Sequence, residues 1–362
     1  MPRTGVADLP LHGGSAPRWL FTRMVSMADA ICEVIIEERG TEELLRRLSD
    51  PYWFQAFSCV LGFDWHSSGT TTVTCGALKE ALRDSEVGVA GGKGKASRSA
   101  QTNIHEWSES QGLSPDLERR FSHSSRMSAK VDSAAVQDGH DLYHHTFLFD
   151  QGGNWATIQQ GMADHGYARR YHWFSGELRD FVQEPHSAIL GTRSETLDMT
   201  ASASSGSRRT SVDLVKDGPD HLRNEVVNLS RGQTTLYQWS GQPEIRLCMP
   251  GRINWKAMSR AYEFQPRGYE ELLGIQGMGP ATVRALALIG ELVYGSEPSW
   301  RDPVKYSFAV GGKDGVPYPV DRRAMDESTR LLFEGIEESK VGRRDKLRAV
   351  SRLRDFVPDD VD

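Results

Sequence analysis

Cysteine is scarce in this chain. Its 362 residues hold four, Cys32, Cys59, Cys75 and Cys248, and no two form a C-x-x-C pair. That scatter argues against a structural zinc site and fits a reducing compartment. Cys59 and Cys75 lie among small or apolar residues and read as buried hydrophobes. Long apolar runs are also missing. No stretch approaches the ~20 residues that span a bilayer. The opening MPRTGVADLPLHGG has no apolar signal-peptide core. The expected location is therefore the cytoplasm, without a membrane partner. The third absence is a surplus of positive charge. The net charge is −6, so any nucleic-acid contact must come from local basic patches.

What remains is an ordinary globular composition, 38% hydrophobic and 25% charged, long enough for two domains. Residues 18–48 read as helices, with Thr41 as the N-cap of the second. Pro51 permits a fresh start, and 52–62 reads as a buried helix. Another helix is expected over 75–82. The stretch 84–103 reads as a mobile Gly/Ser/Lys loop. Then the character changes. DLYHHTFLF (141–149) and NWATIQQ (154–160) are rich in β-formers around Asp150-Gln-Gly-Gly, which predicts a hairpin. Residues 167–174 predict a third strand. Residues 191–212 are rich in Ser, Thr and Gly and predict a linker or disordered loop. The expected class is α+β. A mixed N-terminal domain (1–190) would carry a small antiparallel sheet, and a helical C-terminal domain (213–362) would end in a basic helix.

The most telling stretch is YEELLGIQGMGPATVRALALI (269–289). Apolar residues at helical spacing flank a Gly-x-Gly turn. Gly277 and Gly279 let another backbone approach closely. Pro280 suits the first turn of a helix. Unpaired N–H groups there would face outward, ready for an anion. Ile275, Gly277, Gly279, Pro280, Thr282 and Val283 resemble the helix-hairpin-helix element (267–290) of DNA repair and recombination proteins. That resemblance implies a grip on a DNA phosphate without base reading, by the second turn glycine and the N–H groups of Ala281 and Thr282. Lys93, Lys95 and Arg98 in GGKGKASR form a second candidate clamp on the backbone. Seven Lys/Arg against one Asp in 340–354 form another basic run.

Three clusters carry potential chemistry. RMSAKVDSAAVQDG (126–139) is followed by His144 and His145, with Gln137, Tyr143, Gln159 and Gln160 nearby. On a strand, Lys130 and Asp132 would share a face; on a helix they would diverge. Asp132 and Asp138 could hold Mg²⁺ or Mn²⁺, Lys130 could stabilise a pentavalent transition state, and His144 or His145 could supply a base. That set suits metal-dependent phosphodiester hydrolysis; a polar, hydrogen-bonded sheet face is the alternative. The second cluster is GGKDGVPYPVDR (311–322). Its Asp321 resembles the aspartate that follows the hairpin in helix-hairpin-helix DNA glycosylases. The gap from Gly279 is longer than theirs, Ala281 stands where bifunctional members carry lysine, and a plain helix cap explains Asp321 equally well. The third is FDWHSSGTTT (63–72), where Asp64, His66, Ser67 and Ser68 share a loop without a nucleophile elbow. Asp8 and His12 sit in a turn-rich opening.

Taken together, ADLPLHGGSAPRWLFTRM, FDWHSSGTTTVTCGALKEAL, GGKGKASR, SAKVDSAAVQDG, LYHHTF, IQQGM, EPHSAI and GMGPATVRALALI resemble a prokaryotic family. It is number seven hundred and sixty-three in the domain-of-unknown-function series, and the likeness runs from about residue 3 to 335. It implies no assigned catalytic residue. The favoured expectation is a DNA-processing repair enzyme, first a metal-dependent nuclease, second a glycosylase, third a non-enzymatic DNA-binding adaptor. DNA is the expected partner, with a second copy of the chain or another repair protein beside it.

Overall fold

The structure is a computed structural model describing residues 16–62, 68–163, 167–240, 248–304, 330, 332–339 and 341–356. Four helices open it: α1 (Arg18–Arg39), α2 (Thr41–Ser49), α3 (Pro51–Leu61) and α4 (Ser68–Ala81). Asp50 caps α3, its carboxylate accepting the N–H groups of Tyr52 and Trp53, with Pro51 at the first helical position. The cap of α2 is Gly40, not Thr41; the Thr41 hydroxyl instead donates to Asp150, 2.8 Å away.

Residues 84–103 are not the expected mobile loop. They contain strand β1 (Val87–Lys93) and a 3-10 turn (Gly94–Ser99) leading into α5 (Ala100–Ser110). The glycines misled the reading because they serve packing. Gly91 has φ +85°, and a Cβ there would lie 2.2 Å from the His145 carbonyl oxygen. Helix α6 (Pro115–Lys130) runs into a π-type turn (Val131–Ala135) and the short β2 (Val136–Gln137).

The expected hairpin forms as β3 (Asp141–Asp150) and β4 (Trp155–Met162), and the expected third strand as β5 (Ala168–Phe174). With β6 (Ala188–Leu190) they build a five-stranded sheet in the order β1-β3-β4-β5-β6, each neighbour antiparallel. Alternate side chains enter two separate apolar cores. Leu148, Ala156, Ile158 and Phe174 pack with α1 to α4. Phe147, Phe149, Trp155 and Trp173 pack with α5, α6 and the later helices. Helices thus cover both faces, an arrangement that leaves no solvent face to the central strands. The chain is α+β, as expected.

Residues 191–212 are not a linker. They hold β7 (Leu197–Asp198), which pairs with β2, a 3-10 turn, and the start of α7 (Ser205–Lys216). Leu197, Met199 and Val212 are buried in the second core. The small polar residues are inside because their hydroxyls are bonded: Ser204 donates to the Asp198 carbonyl and Thr200 to the Asp198 carboxylate. This core continues into α8 (Pro219–Ser240), α9 (Trp255–Phe264), α10 (Tyr269–Gly274) and α11 (Pro280–Tyr294), so it crosses the expected domain boundary at 190. The basic C-terminal run does form a helix, α12 (Arg343–Phe356), but Ala349 packs in the first core with α1 to α4. Among the described residues no helix is long and apolar enough to cross a membrane.

Candidate functional site

The sheet carries polar side chains on both buried faces. Residues 168–174 (ARRYHWF) are all buried. On the α6 face, Asp132 is fully buried on the π-type turn. Its Oδ2 accepts from Gln159 Nε2 at 2.5 Å and Trp173 Nε1 at 3.0 Å, and its Oδ1 lies 2.5 Å from His186 Nε2. Burial raises the Asp132 carboxyl above its usual range, against the pull of His186. Gln159 extends the chain of bonds. Its Oε1 meets His145 Nδ1 at 3.0 Å, and His145 Nε2 meets Ser125 Oγ at 2.9 Å. An amide oxygen only accepts, so Nδ1 carries the proton and Nε2 accepts from Ser125. Burial holds the His145 pKa down to about 4, so the ring is neutral.

Beside this lies an ion cluster. Arg169 is fully buried and donates to Asp138 Oδ2 at 2.9 Å, to both oxygens of Asp302 at 3.1 and 2.8 Å, and to the Thr192 carbonyl at 2.5 Å. Tyr171 adds a 2.6 Å hydroxyl bond to Asp138. Burial alone would raise the Asp138 carboxyl, but the hydrogen bond from His140 and the Arg169 charge hold it below its usual range.

His144 and His145, adjacent on β3, point to opposite faces, and both are buried because helices cover both. His144 faces the α1–α4 side in a cross-strand row with Lys93, Gln160 and Arg170. Lys130 and Asp132 do not share a strand face. Lys130 ends α6 half-exposed, while Asp132 is inside, so the helical alternative holds and the pair diverges. Lys93, Lys95 and Arg98 are exposed at the β1 edge and the turn after it. Asp8, His12, Asp64, His66, Ser67 and Asp321 lie outside the described residues.

The hairpin forms as helix α10, a turn at 275–279 and helix α11. Gly277 has φ +89°, and a Cβ there would sit 2.6 Å from Asn254 Nδ2. Three side chains from elsewhere hold two carbonyls of the turn and that of the first residue of α11. Arg260 donates to Gln276 O at 3.0 Å, Asn254 to Gly277 O at 3.1 Å and Gln137 to Pro280 O at 2.8 Å. Thr282 is buried, its hydroxyl accepting from Asn254 N. The Gly279 N–H turns back onto Gly277 O at 2.9 Å, so the second turn glycine does not offer its N–H outward. Val283 N bonds Gly279 O, and no side chain caps this end. The N–H groups of Ala281 and Thr282 therefore have no acceptor among the described residues.

A family model described as "Protein of unknown function (DUF763)" matches residues 5–320. The chain belongs to that family. Comparison with curated proteins and with solved structures finds no match. In this family member the carboxylates expected to bind Mg²⁺ or Mn²⁺ do not fit a hard cation. Both oxygens of Asp132 already accept N–H donors, and Asp138 is neutralised by Arg169. Among the described residues no cluster of three or more His, Cys, Asp or Glu could hold a metal ion. Asp132→Asn should accordingly leave unchanged whatever response the thermal midpoint shows to millimolar Mn²⁺ or EDTA in a fluorimetric melt. A saturable Mn²⁺ shift lost in Asp132→Asn would overturn this.

Sequence reasoning missed Arg169, Arg170, Tyr171, Trp173 and His186 as network members. The signal was present in ARRYHWF, whose polar residues fall on both faces of a strand. It is legible only once both faces are known to be covered.

Proposed function

We propose that this protein binds DNA through the 275–283 hairpin, holding backbone phosphate without reading bases. The observation that carries the reading is the unpaired N–H group of half-exposed Ala281, backed by that of buried Thr282, on a turn that is half-exposed and fixed by three outside side chains. A helix N-terminus with free donors is an anion seat. A second observation supports it. On α6, Arg119, His123, Arg126 and Lys130 fall at helical spacing on one stripe. That stripe adjoins the hairpin: His123 Nε2 lies 2.8 Å from Glu270 of α10. Phosphodiester hydrolysis at residues 130–145 is not part of the proposal, because the acceptor oxygens there are engaged.

The test is Ala281→Asp. A carboxylate in the first turn favours the helix through its dipole but occupies the phosphate's place. The variant should melt no earlier than wild type and bind duplex DNA at least about tenfold more weakly, or ~1.4 kcal/mol. The slope of log affinity against log salt should also become shallower by about one. Unchanged affinity would sink the reading. Carrying the same incubations through to a denaturing gel, with and without alkali, separates an adaptor from an enzyme that breaks strands or excises bases.

A further inference from the structure

Arg170 is a fully buried arginine on the sheet face that packs against α1 to α4. Among the described residues it meets no carboxylate. Its Nε donates to Thr71 Oγ1 at 2.8 Å, its Nη2 to Gln55 Oε1 at 3.3 Å, and its carbon lies 4.9 Å from the Phe54 ring centre. All of these partners are neutral. Its Nη1 is buried and has no hydrogen-bond partner among the described residues. Burial lowers its pKa to about 10, so it is still a cation at neutral pH. A buried charge without a counter-charge is among the costliest arrangements a fold can hold.

The surroundings are built for an anion. Arg170, Gln160, His144 and Lys93 are register neighbours across β5, β4, β3 and β1. His144 also has an orphan: its Nε2 lies 2.9 Å from Thr146 Oγ1, but its buried Nδ1 has no partner among the described residues. Gln160 bonds Tyr143 and Thr71, and its Nε2 donates to the Ser68 carbonyl at 2.9 Å. Thr71 lies in the first turn of α4, whose dipole favours negative charge. At the outer end of the row Lys93 is exposed and Tyr143 half-exposed, so the row runs from solvent inward.

We infer that Arg170, with His144, Thr71, Gln160, Tyr143 and Lys93, forms a binding site for a phosphoryl oxyanion. The fork of Arg170 would give Nη1–H to one oxygen and His144 Nδ1–H would reach another, which satisfies both orphans and neutralises the buried cation. The site is separate from the hairpin and does not rest on the DNA-binding reading. Free phosphate or nucleotide, and the terminal phosphate of a nucleic-acid strand, share this chemistry.

The experiment is thermal melting of the full chain in chloride and in low-millimolar inorganic phosphate at matched ionic strength, beside a short oligonucleotide with and without a 5′-phosphate. Wild type should show a saturable rise in midpoint with phosphate, because a ligand that binds only the folded state stabilises it by mass action. A response to inorganic phosphate indicates a small-molecule source; a response confined to the 5′-phosphorylated strand indicates a nucleic-acid end. Arg170→Met should melt higher than wild type in chloride, having lost an unpaired buried charge, and should show no response to either. Should that variant fail to fold, ¹⁵N-detected arginine side-chain resonances of wild type supply the reading, with one guanidinium shifting on titration. No saturable response from any phosphoryl ligand, a response kept in Arg170→Met, or unmoved guanidinium resonances would each overturn the site.

Discussion

Arg169→Leu is expected to lower folding stability by about 3–5 kcal/mol, the usual cost of removing one partner from a buried ion pair. The reason is what it leaves behind. Asp138 and Asp302 are both buried, and each depends on the same guanidinium. Leucine fills much of the volume but supplies no donor, so two buried carboxylates lose their shared counter-charge and the Thr192 carbonyl loses the guanidinium bond at the same time. Arg169→Lys should fail almost as badly. One ammonium cannot span Asp138, both oxygens of Asp302 and a carbonyl, whereas a planar fork with five N–H donors does. Urea denaturation followed by circular dichroism measures this directly. A loss under about 1 kcal/mol in Arg169→Leu would mean the cluster is solvated and that its burial has been misread.

Acid should weaken the fold well above the pH at which its surface carboxylates titrate. His144 and His145 are buried neutral, with pKa values lowered to about 3 and about 4 from 6.5, chiefly by burial. In the unfolded chain both rings take a proton near pH 6.5, while the folded state resists until far lower. The unfolded state therefore binds more protons across that window, and stability falls as pH drops. Above pH 6.5 the contribution is complete; it is lost progressively down to about pH 4 for His145 and about pH 3 for His144. Each pKa unit is worth about 1.4 kcal/mol, so His145 alone accounts for roughly 3 kcal/mol. Chemical denaturation at half-unit steps from pH 7 to 4 should show a steep decline, and His145→Gln should flatten it. A stability that stays level down to pH 4.5 would contradict the burial of these rings.

The parts of this fold that could be read from residues alone were those where one local rule decides. Pro51 announces the start of a helix. Asp150-Gln-Gly-Gly between two β-rich runs announces a hairpin. Gly-x-Gly-Pro between apolar helical repeats announces α10, the turn and α11. What escaped was decided by partners distant in sequence. Residues 191–212 look like a linker because serine and threonine are cheap to solvate, yet Thr196, Ser204 and Ser207 are fully buried. Their neighbours in space come from elsewhere in the chain: β2 pairs with β7, and Asp198 bridges to Ser299. The polar segment at 130–145 left two geometries open, strand or helix, and only long-range packing decides between them. Lys130 and Asp132 needed a strand to converge, and α6 continues through Lys130 into a π-type turn. Asp132 could not be recognised as saturated, since its donors Gln159, Trp173 and His186 lie 27, 41 and 54 residues away.

If the hairpin binds as proposed, the three side chains that tie down its carbonyls would set the kinetics of capture. Arg260 and its helix's N-cap Asn254 come from α9 and Gln137 from β2, and behind the turn α11 is buried from Thr282 to Gly290 apart from half-buried Arg284. Such a loop has its final shape before any encounter, so association need not wait for rearrangement and little ordering entropy is lost on contact. Collision frequency would then govern capture, and low ionic strength would speed it through the attraction between phosphates and the α6 cations. Discrimination among partners would have to reside in how long they stay.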